Sequence, residues 1–539
     1  MSECRISLDR RGSGRVAHGQ ALESLGLHLD VGTMPQPTHL SGREPLPAWS
    51  PGHRPAAVSE WLVAGWSRFA ALLALSGAWN ACEPAGPVRS AEADASDSGM
   101  GGGSEAGPDA GPAPRWLAYV TSGSSTPELR LLDVAAPGKP PVSLQEGAVD
   151  LRWTKDGRWL LAELYGKRSA LIDFSASTPG PVLPLELAGA GVHGCVPAQS
   201  SKRLACLLDE GTAQAPALVD LSGAKPVVIK VTGPTFLASS YPFTGWSPDS
   251  RYALYLAPSG NAYQLLVADA EATAPSATLI SSSVVGLKVS PDSKFLAYGV
   301  EAPSPGFFLR NLASGSSSQI SGDPVSFWSL GWTTQGTAIV YGGAAGLVAY
   351  APATAQSVVV HPGSVGTLMV SPDGTRAAFF AYGELAHTLL DTQFFPPQKL
   401  GTLPGTPLCW SPPCRFLAVL DAPLLSLVDL QAPALPPKAL SSGNLPPSDC
   451  EFQGELGLTW YSHLGNPVLG VATSPAWEGT ALDAKTGPFA TATFSWSSDL
   501  ALLAFRDADS GWLTLAEHFP NPTLVELTGV SASAFAFRP

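Results

Sequence analysis

Leu368-Met369-Val370-Ser371-Pro372-Asp373-Gly374-Thr375-Arg376-Ala377-Ala378-Phe379-Phe380 reads as two apolar runs joined by a tight-turn tetrad. Each tetrad position has a physical reason. Proline presets φ for the first corner, aspartate bonds back to nearby backbone, and glycine accepts the left-handed conformation that closes a hairpin. One hairpin of this kind is a weak signal, but this one recurs.

Variants begin at Leu151 (LRWTKDGRWLLAEL), Thr244 (TGWSPDSRYALYLA), Leu287 (LKVSPDSKFLAYGV), Leu330 (LGWTTQGTAIVYGG), Leu408 (LCWSPPCRFLAVLD) and Phe494 (FSWSSDLALLAFRD). Less regular copies occupy Val192 to Leu208 and Leu458 to Ser474. The spacing is about 40 residues, the period of one four-stranded blade and too long for a leucine-rich repeat. Within a unit, a third strand ends in an Asp-containing turn, as at Leu131-Leu132-Asp133 and Leu427-Val428-Asp429, and a short fourth strand follows. Units begin near Trp116, Val149, Gly191, Ser239, Val284, Ser329, Gly366, Pro407, Glu455 and Ala490. The fold class expected is therefore all-β, a β-propeller of repeated four-stranded blades with about 8 to 10 units over residues 115–539, as one unusually large ring, a ring with irregular insertions, or two smaller rings.

Trp116-Leu117-Ala118-Tyr119-Val120 matches a second strand with no first strand before it, while Phe535-Ala536-Phe537 resembles a first strand running into the proline of a tetrad. This predicts that the C-terminal strand pairs with the N-terminal blade and closes the ring. Closure removes exposed strand edges, which otherwise invite aggregation.

Composition agrees with many short strands: 55 Gly and 51 Pro among 539 residues, with 45% hydrophobic and only 14% charged. A net charge of −13 with no basic cluster argues against nucleic acid as a partner.

Ahead of the repeats, residues 1–60 show no sustained periodicity and read as disordered or as an upstream start-site extension. Residues 61–82 carry Arg68, an apolar run from Phe69 to Trp79 and a terminal Cys82, and read as a signal peptide too short to span a bilayer. The segment resembles a bacterial lipoprotein signal, which implies lipidation of Cys82; ordinary cleavage, for example after Ala78, and a buried or cytosolic segment are the alternatives. Residues 83–114 are acidic and rich in Gly, Pro, Ser and Ala, the composition of a flexible tether.

With the SPDG tetrads and the WSPD form laid out, the repeats resemble the WD40-like propeller repeats of TolB and its relatives. The resemblance covers most of Trp116 to Pro539 and implies a propeller; the α/β domain that precedes the propeller of TolB has no counterpart here.

The recurrent Asp156, Asp249, Asp292, Asp373 and Asp499 invite an acid/base or metal reading, but their place in the turn assigns them to hairpin structure. Trp153, Trp246, Trp332, Trp410 and Trp496 are expected to pack between blades. His193, His361, His387, His463 and His518 lack any metal-ligand spacing, and Asp507 to Gly511 lacks the later ligands of a calcium loop. No nucleophile elbow or Walker loop occurs, so no catalytic, cofactor or metal residue is assigned. Cys195 and Cys206 flank one hairpin turn and are placed for a disulfide; Cys409 or Cys414 is a candidate partner for Cys450, with buried free thiols as the alternative.

These readings converge on a non-catalytic exported propeller, periplasmic or anchored to the outer membrane of a bacterium through Cys82. It would serve as a scaffold for an envelope protein or surface polymer. The alternative is an enzyme, a lyase or hydrolase with its site in the propeller channel.

Overall fold

In the computed structural model the described residues run from 115 to 539, without 122–125, 137–138, 177, 238–242, 260–261, 302, 324, 326–328, 385, 413, 422–423, 432–436, 441–448, 454–456, 463–467, 475–476, 483–493, 498–500, 507–511 and 518–522. The expectations for residues 1–60, 61–82, Cys82 and 83–114 fall outside them, as do Asp499, His463, His518 and the stretch 507–511.

The described chain is all-β, built of antiparallel sheets whose strands follow one another in sequence. Four sheets have four strands each, and the larger ones are fusions of the same unit. Fusion arises where an outer strand runs straight on as the next unit's inner strand or, as with Val182–Leu187 and Ala190–Pro197, pairs with it through a tight hairpin. Ala277–Val289 pairs with Ala262–Asp269 through Ala277 to Val284, then with Phe295–Val300 through Val284 to Val289. Divided at such points, the described strands make ten four-stranded units, with the two-residue strand Phe236–Leu237 added beside Ala213–Asp220 of the third. That number is the upper end of the range the repeat spacing allows.

The seventh unit illustrates the plan, with strands Val365–Val370, Arg376–Ala381, His387–Asp391 and Gln398–Leu403. Its opening hairpin is the SPDG stretch: the Gly374 N–H donates to the Ser371 carbonyl, and Ser371 N–H to the Arg376 carbonyl, both at 2.8 Å. Gly374 has φ +69°, the left-handed value that a closing glycine supplies without strain.

The C-terminal strand Thr523–Phe537 serves two units. Its first half pairs with Trp512–Glu517, and Ala532 to Phe537 pair with Trp116–Thr121, Leu117 opposite Phe537. The strand missing before Trp116 is therefore supplied from the other end of the chain.

One expectation needs correction. The copy placed at Leu458 to Ser474 is not a first hairpin: Gly457–Ser462 and Val468–Thr473 are second and third strands, and the inner strand is Asp449–Gln453. The polar sequence of that inner strand, Asp-Cys-Glu-Phe-Gln, hides it from an apolar-run search.

Buried apolar side chains on both faces of each sheet form ten layers among the described residues, each joining consecutive units. Leu347 and Ala349 of the sixth unit meet Leu368 and Phe379 of the seventh. The tenth layer sets Leu502 and Leu513 against Leu117 and Tyr119 of the first unit, so the succession is cyclic. Each fully buried Leu or Phe contributes about 1.5–3 kcal/mol, and most belong to a layer shared by two units.

Candidate functional site

The recurrent aspartates sit in a repeated hydrogen-bond unit. In the fourth unit, Ser247 is fully buried; its Oγ accepts the Tyr252 N–H at 2.8 Å and donates to Asp249 Oδ1 at 2.5 Å. Asp249 Oδ1 also accepts the Arg251 N–H at 3.0 Å. Asp156, Asp292 and Asp373 take the same place beside Thr154, Ser290 and Ser371. Partial burial pushes the Asp292 carboxyl up, but the Ser290 hydroxyl and Lys294 outweigh it and hold it below the usual carboxylate value. In each of the four, Oδ1 is committed to the aspartate's own hairpin.

A second network, unread in the sequence, ties each turn to the next unit. The fourth tetrad position is left-handed even where it is not glycine: Ser201, Ser250, Ser293 and Cys414 have φ between 56° and 64°. That conformation aims the side chain at the preceding unit. Ser293 Oγ accepts the Asp249 N–H at 2.9 Å, Ser250 Oγ the Ser200 N–H at 2.9 Å, and Ser201 Oγ the Asp156 N–H at 3.1 Å. Cys414 Sγ accepts the Asp373 N–H at 3.3 Å.

Where the position is glycine, backbone replaces the hydroxyl. The Gly374 carbonyl accepts the Thr334 N–H at 2.8 Å, and a Cβ on Gly374 would stand 2.5 Å from that nitrogen. A Cβ on Gly336 would likewise stand 2.8 Å from Asp292 Oδ1 of the fifth unit. Arg538 donates to the Gly157 carbonyl at 2.8 Å and the Phe174 carbonyl at 2.9 Å, bringing the chain end onto the second unit. First-to-second-strand turns thus touch in succession from the first unit to the eighth, forming one continuous rim. The signal in the sequence was the preference for Gly, Ser or Cys at this position, from which the tenth copy departs with Leu500.

The tryptophans before the tetrads fasten inner strands together. Trp153, Trp246 and Trp332 donate Nε1–H to the carbonyls of Ala536, Val196 and Lys288, at 3.2, 2.9 and 3.1 Å. Trp410 and Trp496 lie in the layers leading into the eighth and tenth units. Lys288 donates from the inner strand of the fifth unit to the Leu330 carbonyl of the sixth at 3.3 Å, and burial lowers its pKa to about 7.

Cys195 and Cys206 form a disulfide inside the third unit, and Cys409 joins Cys450 across the eighth and ninth inner strands. Cys414 is a buried free thiol, and burial raises its pKa. Glu163 of the second unit accepts the Gly194 and Cys195 N–H groups at 3.2 and 3.0 Å and the Ser169 hydroxyl at 2.8 Å. Its burial pushes the carboxyl up against those bonds. His193 is half-buried, and desolvation followed by the Lys167 charge lowers its pKa to about 4. Among the described residues no three His, Cys, Asp or Glu side chains gather as a metal site.

The opposite end of the sheets, at the second-to-third-strand loops, carries exposed aromatics at equivalent positions. Tyr165 is 62% exposed after Trp159–Leu164, and Tyr382 is 68% exposed after Arg376–Ala381. The Tyr382 ring meets Phe380 edge-on at 5.8 Å, and Phe380 lies 5.2 Å from His387. Beside them His361 Nε2 lies 3.7 Å from Glu384. Sequence reasoning passed over these residues because nothing in spacing separates an exposed loop tyrosine from a buried one.

No protein-family model and no curated protein matches the chain. Solved structures give distant likenesses to β-propeller proteins. A eukaryotic initiation factor is 12% identical with a TM-score of 0.45, covering 69% of this chain and 96% of that one. The dihydro-heme d1 dehydrogenase NirN, in complex with DHE, is 13% identical at 0.36, covering 68% and 72%. TolB from Acinetobacter baumannii is 17% identical at 0.24, covering 44% and 61%. No functional assignment follows from likenesses of this size.

Proposed function

We propose that the cyclic succession of ten units is a single ten-bladed β-propeller with TolB-like repeats. In this reading it is exported, held to an envelope membrane through an acylated Cys82, and works as a non-catalytic scaffold for an envelope protein or surface polymer. The observation that carries the binding reading is the pair Tyr165 and Tyr382, at equivalent loops on the end opposite the turn rim. Tyrosine offers a large, rigid, amphipathic contact at low entropic cost, which is why it is enriched where proteins bind. The four described turn aspartates are occupied with fixing register, so what distinguishes one blade from another lies in these loops. The two disulfides, Cys195–Cys206 and Cys409–Cys450, are consistent with export.

The test is affinity purification from envelope fractions with the native N-terminus intact, comparing the wild-type chain with Tyr165→Ser/Tyr382→Ser. Loss of the co-purified partner at unchanged melting temperature supports the reading. Equal recovery of the same partner removes these loops from it. The mass of the N-terminal peptide of the exported protein reports separately whether Cys82 is acylated.

A further inference from the structure

We infer that the connection between the third and fourth strands of the seventh unit is a membrane-contacting wedge, which inserts Phe394 and Phe395 into a lipid surface. The inference rests on the proposed anchoring of the chain through Cys82.

The connection runs Thr392-Gln393-Phe394-Phe395-Pro396-Pro397 between His387–Asp391 and Gln398–Leu403. Phe394 is 54% exposed and Phe395 37%, with Leu400 of the adjoining outer strand 48% exposed. Among the described residues, no other third-to-fourth-strand connection exposes a large apolar side chain. The base of the loop is fixed: Thr392 is buried, its hydroxyl donates to the Gly374 carbonyl at 2.6 Å, and its N–H donates to the Thr375 carbonyl at 3.0 Å. The aromatics therefore project from the turn rim on a pinned loop.

The point where the N-terminal segment joins the described units lies at the same rim. The Arg115 carbonyl accepts the Val134 N–H at 2.9 Å, and the Trp116 carbonyl accepts the Arg538 N–H at 2.9 Å, so Arg115 stands beside the first unit's turn. The 32 residues from Glu83 to Pro114 separate it from Cys82 and span at most about 110 Å. A chain held at Cys82 thus has its attachment point and its exposed phenylalanines at the same end, and the tyrosine-bearing loops at the other.

Chemistry at the loop suits a lipid interface. Gln393, Gln398 and exposed Lys399 flank the aromatics, placing polar and cationic groups at headgroup level around an apolar tip. Asp391 is turned inward, accepting the Gln393 N–H at 3.0 Å and lying 3.8 Å from Arg376. A second copy is a poorer occupant. The three apolar side chains present roughly 300 Å², well short of the approximately 800 Å² per partner that a stable protein interface buries. Because the whole chain carries −13, attraction to anionic lipid is not the driving force; contact should be apolar and insensitive to salt.

The experiment is amide hydrogen exchange on the full chain bound to phosphatidylcholine vesicles, for wild type and Phe394→Ser/Phe395→Ser. The equivalent connection of the fifth unit, Leu312 to Ser316, is the internal control. The expected result is roughly fivefold slower exchange over Asp391 to Leu400 on vesicles, retained at high salt, absent from the control connection and absent from the double variant. No slowing, slowing of both connections alike, or slowing without vesicles at high protein concentration would overturn the wedge, the last by assigning the loop to a second copy. Slowing with an unmodified native Cys82 would keep the wedge and remove the lipid anchor.

Discussion

The main-chain N–H of Asp249 donates to the hydroxyl of Ser293, 44 residues away, at 2.9 Å. Ser293 reaches it because its backbone is left-handed, at φ 58°. One residue thus closes its own hairpin and holds the turn of the preceding unit. Ser293→Ala keeps the backbone strain and leaves a part-buried donor unpaired, so it should cost about 1–2 kcal/mol. Ser293→Gly loses the same bond but relieves the left-handed strain. Calorimetry should therefore rank melting temperatures wild type above Gly above Ala, and an Ala variant that melts with wild type would remove the bond from the account.

Cys414 does for the seventh turn what serine does elsewhere, accepting the Asp373 N–H through sulfur at 3.3 Å. Cys414→Ser should be neutral or mildly stabilising, because a hydroxyl is the stronger acceptor. Cys414→Ala should cost about 1 kcal/mol. If Ser destabilises as much as Ala in chemical denaturation, the thiol's packing matters and its hydrogen bond does not.

Arg538 is the clasp between the first and second units, bonded to the carbonyls of Gly157 and Phe174 and lying 5.5 Å over the Phe174 ring. Arg538→Ala should destabilise by about 1.5–3 kcal/mol, the range for bonds involving a charged group. Removing 535–539 should do more, since it strips the edge of Trp116–Thr121. Melting of the truncated chain at the wild-type temperature would contradict closure through this strand.

His193 contributes a defined pH dependence. Folded, its pKa falls to about 4, against 6.5 for an unperturbed histidine. Both states are neutral above 6.5; as pH drops below that, the unfolded chain takes the proton first, and stability should decline between pH 6.5 and about 4. Glu163, held high by burial, works in the opposite sense, gaining stability as pH falls through its raised pKa. The two are separated by comparing wild type with His193→Gln across that range: the variant should lose the decline, and parallel curves would show that His193 does not titrate in this way.

Much of this molecule was legible in its sequence because the repeat is local. A tetrad specifies a hairpin from four adjacent residues, and a period of about 40 residues specifies four strands per unit whatever the neighbours are. The split unit was legible too, since Trp116 had no partner before it and Phe537 none after it in sequence. The polar inner strand Asp449–Gln453 was missed because its burial comes from the adjoining sheets, not from an apolar pattern of its own.

By itself, then, the sequence determined the strands, their hairpins and the role of Asp373 as a turn residue, all set by forces acting within a few bonds. Only tertiary structure decided which sheet follows which, that Ser293 and Cys414 reach across to another unit, and that Cys409 rather than Cys414 pairs with Cys450. It also decided that Tyr165 and Tyr382 face one end while Phe394 and Phe395 face the other. The bonds and the disulfide between units join residues about 40 positions apart, and depend on how twisted sheets stack, which no local preference encodes.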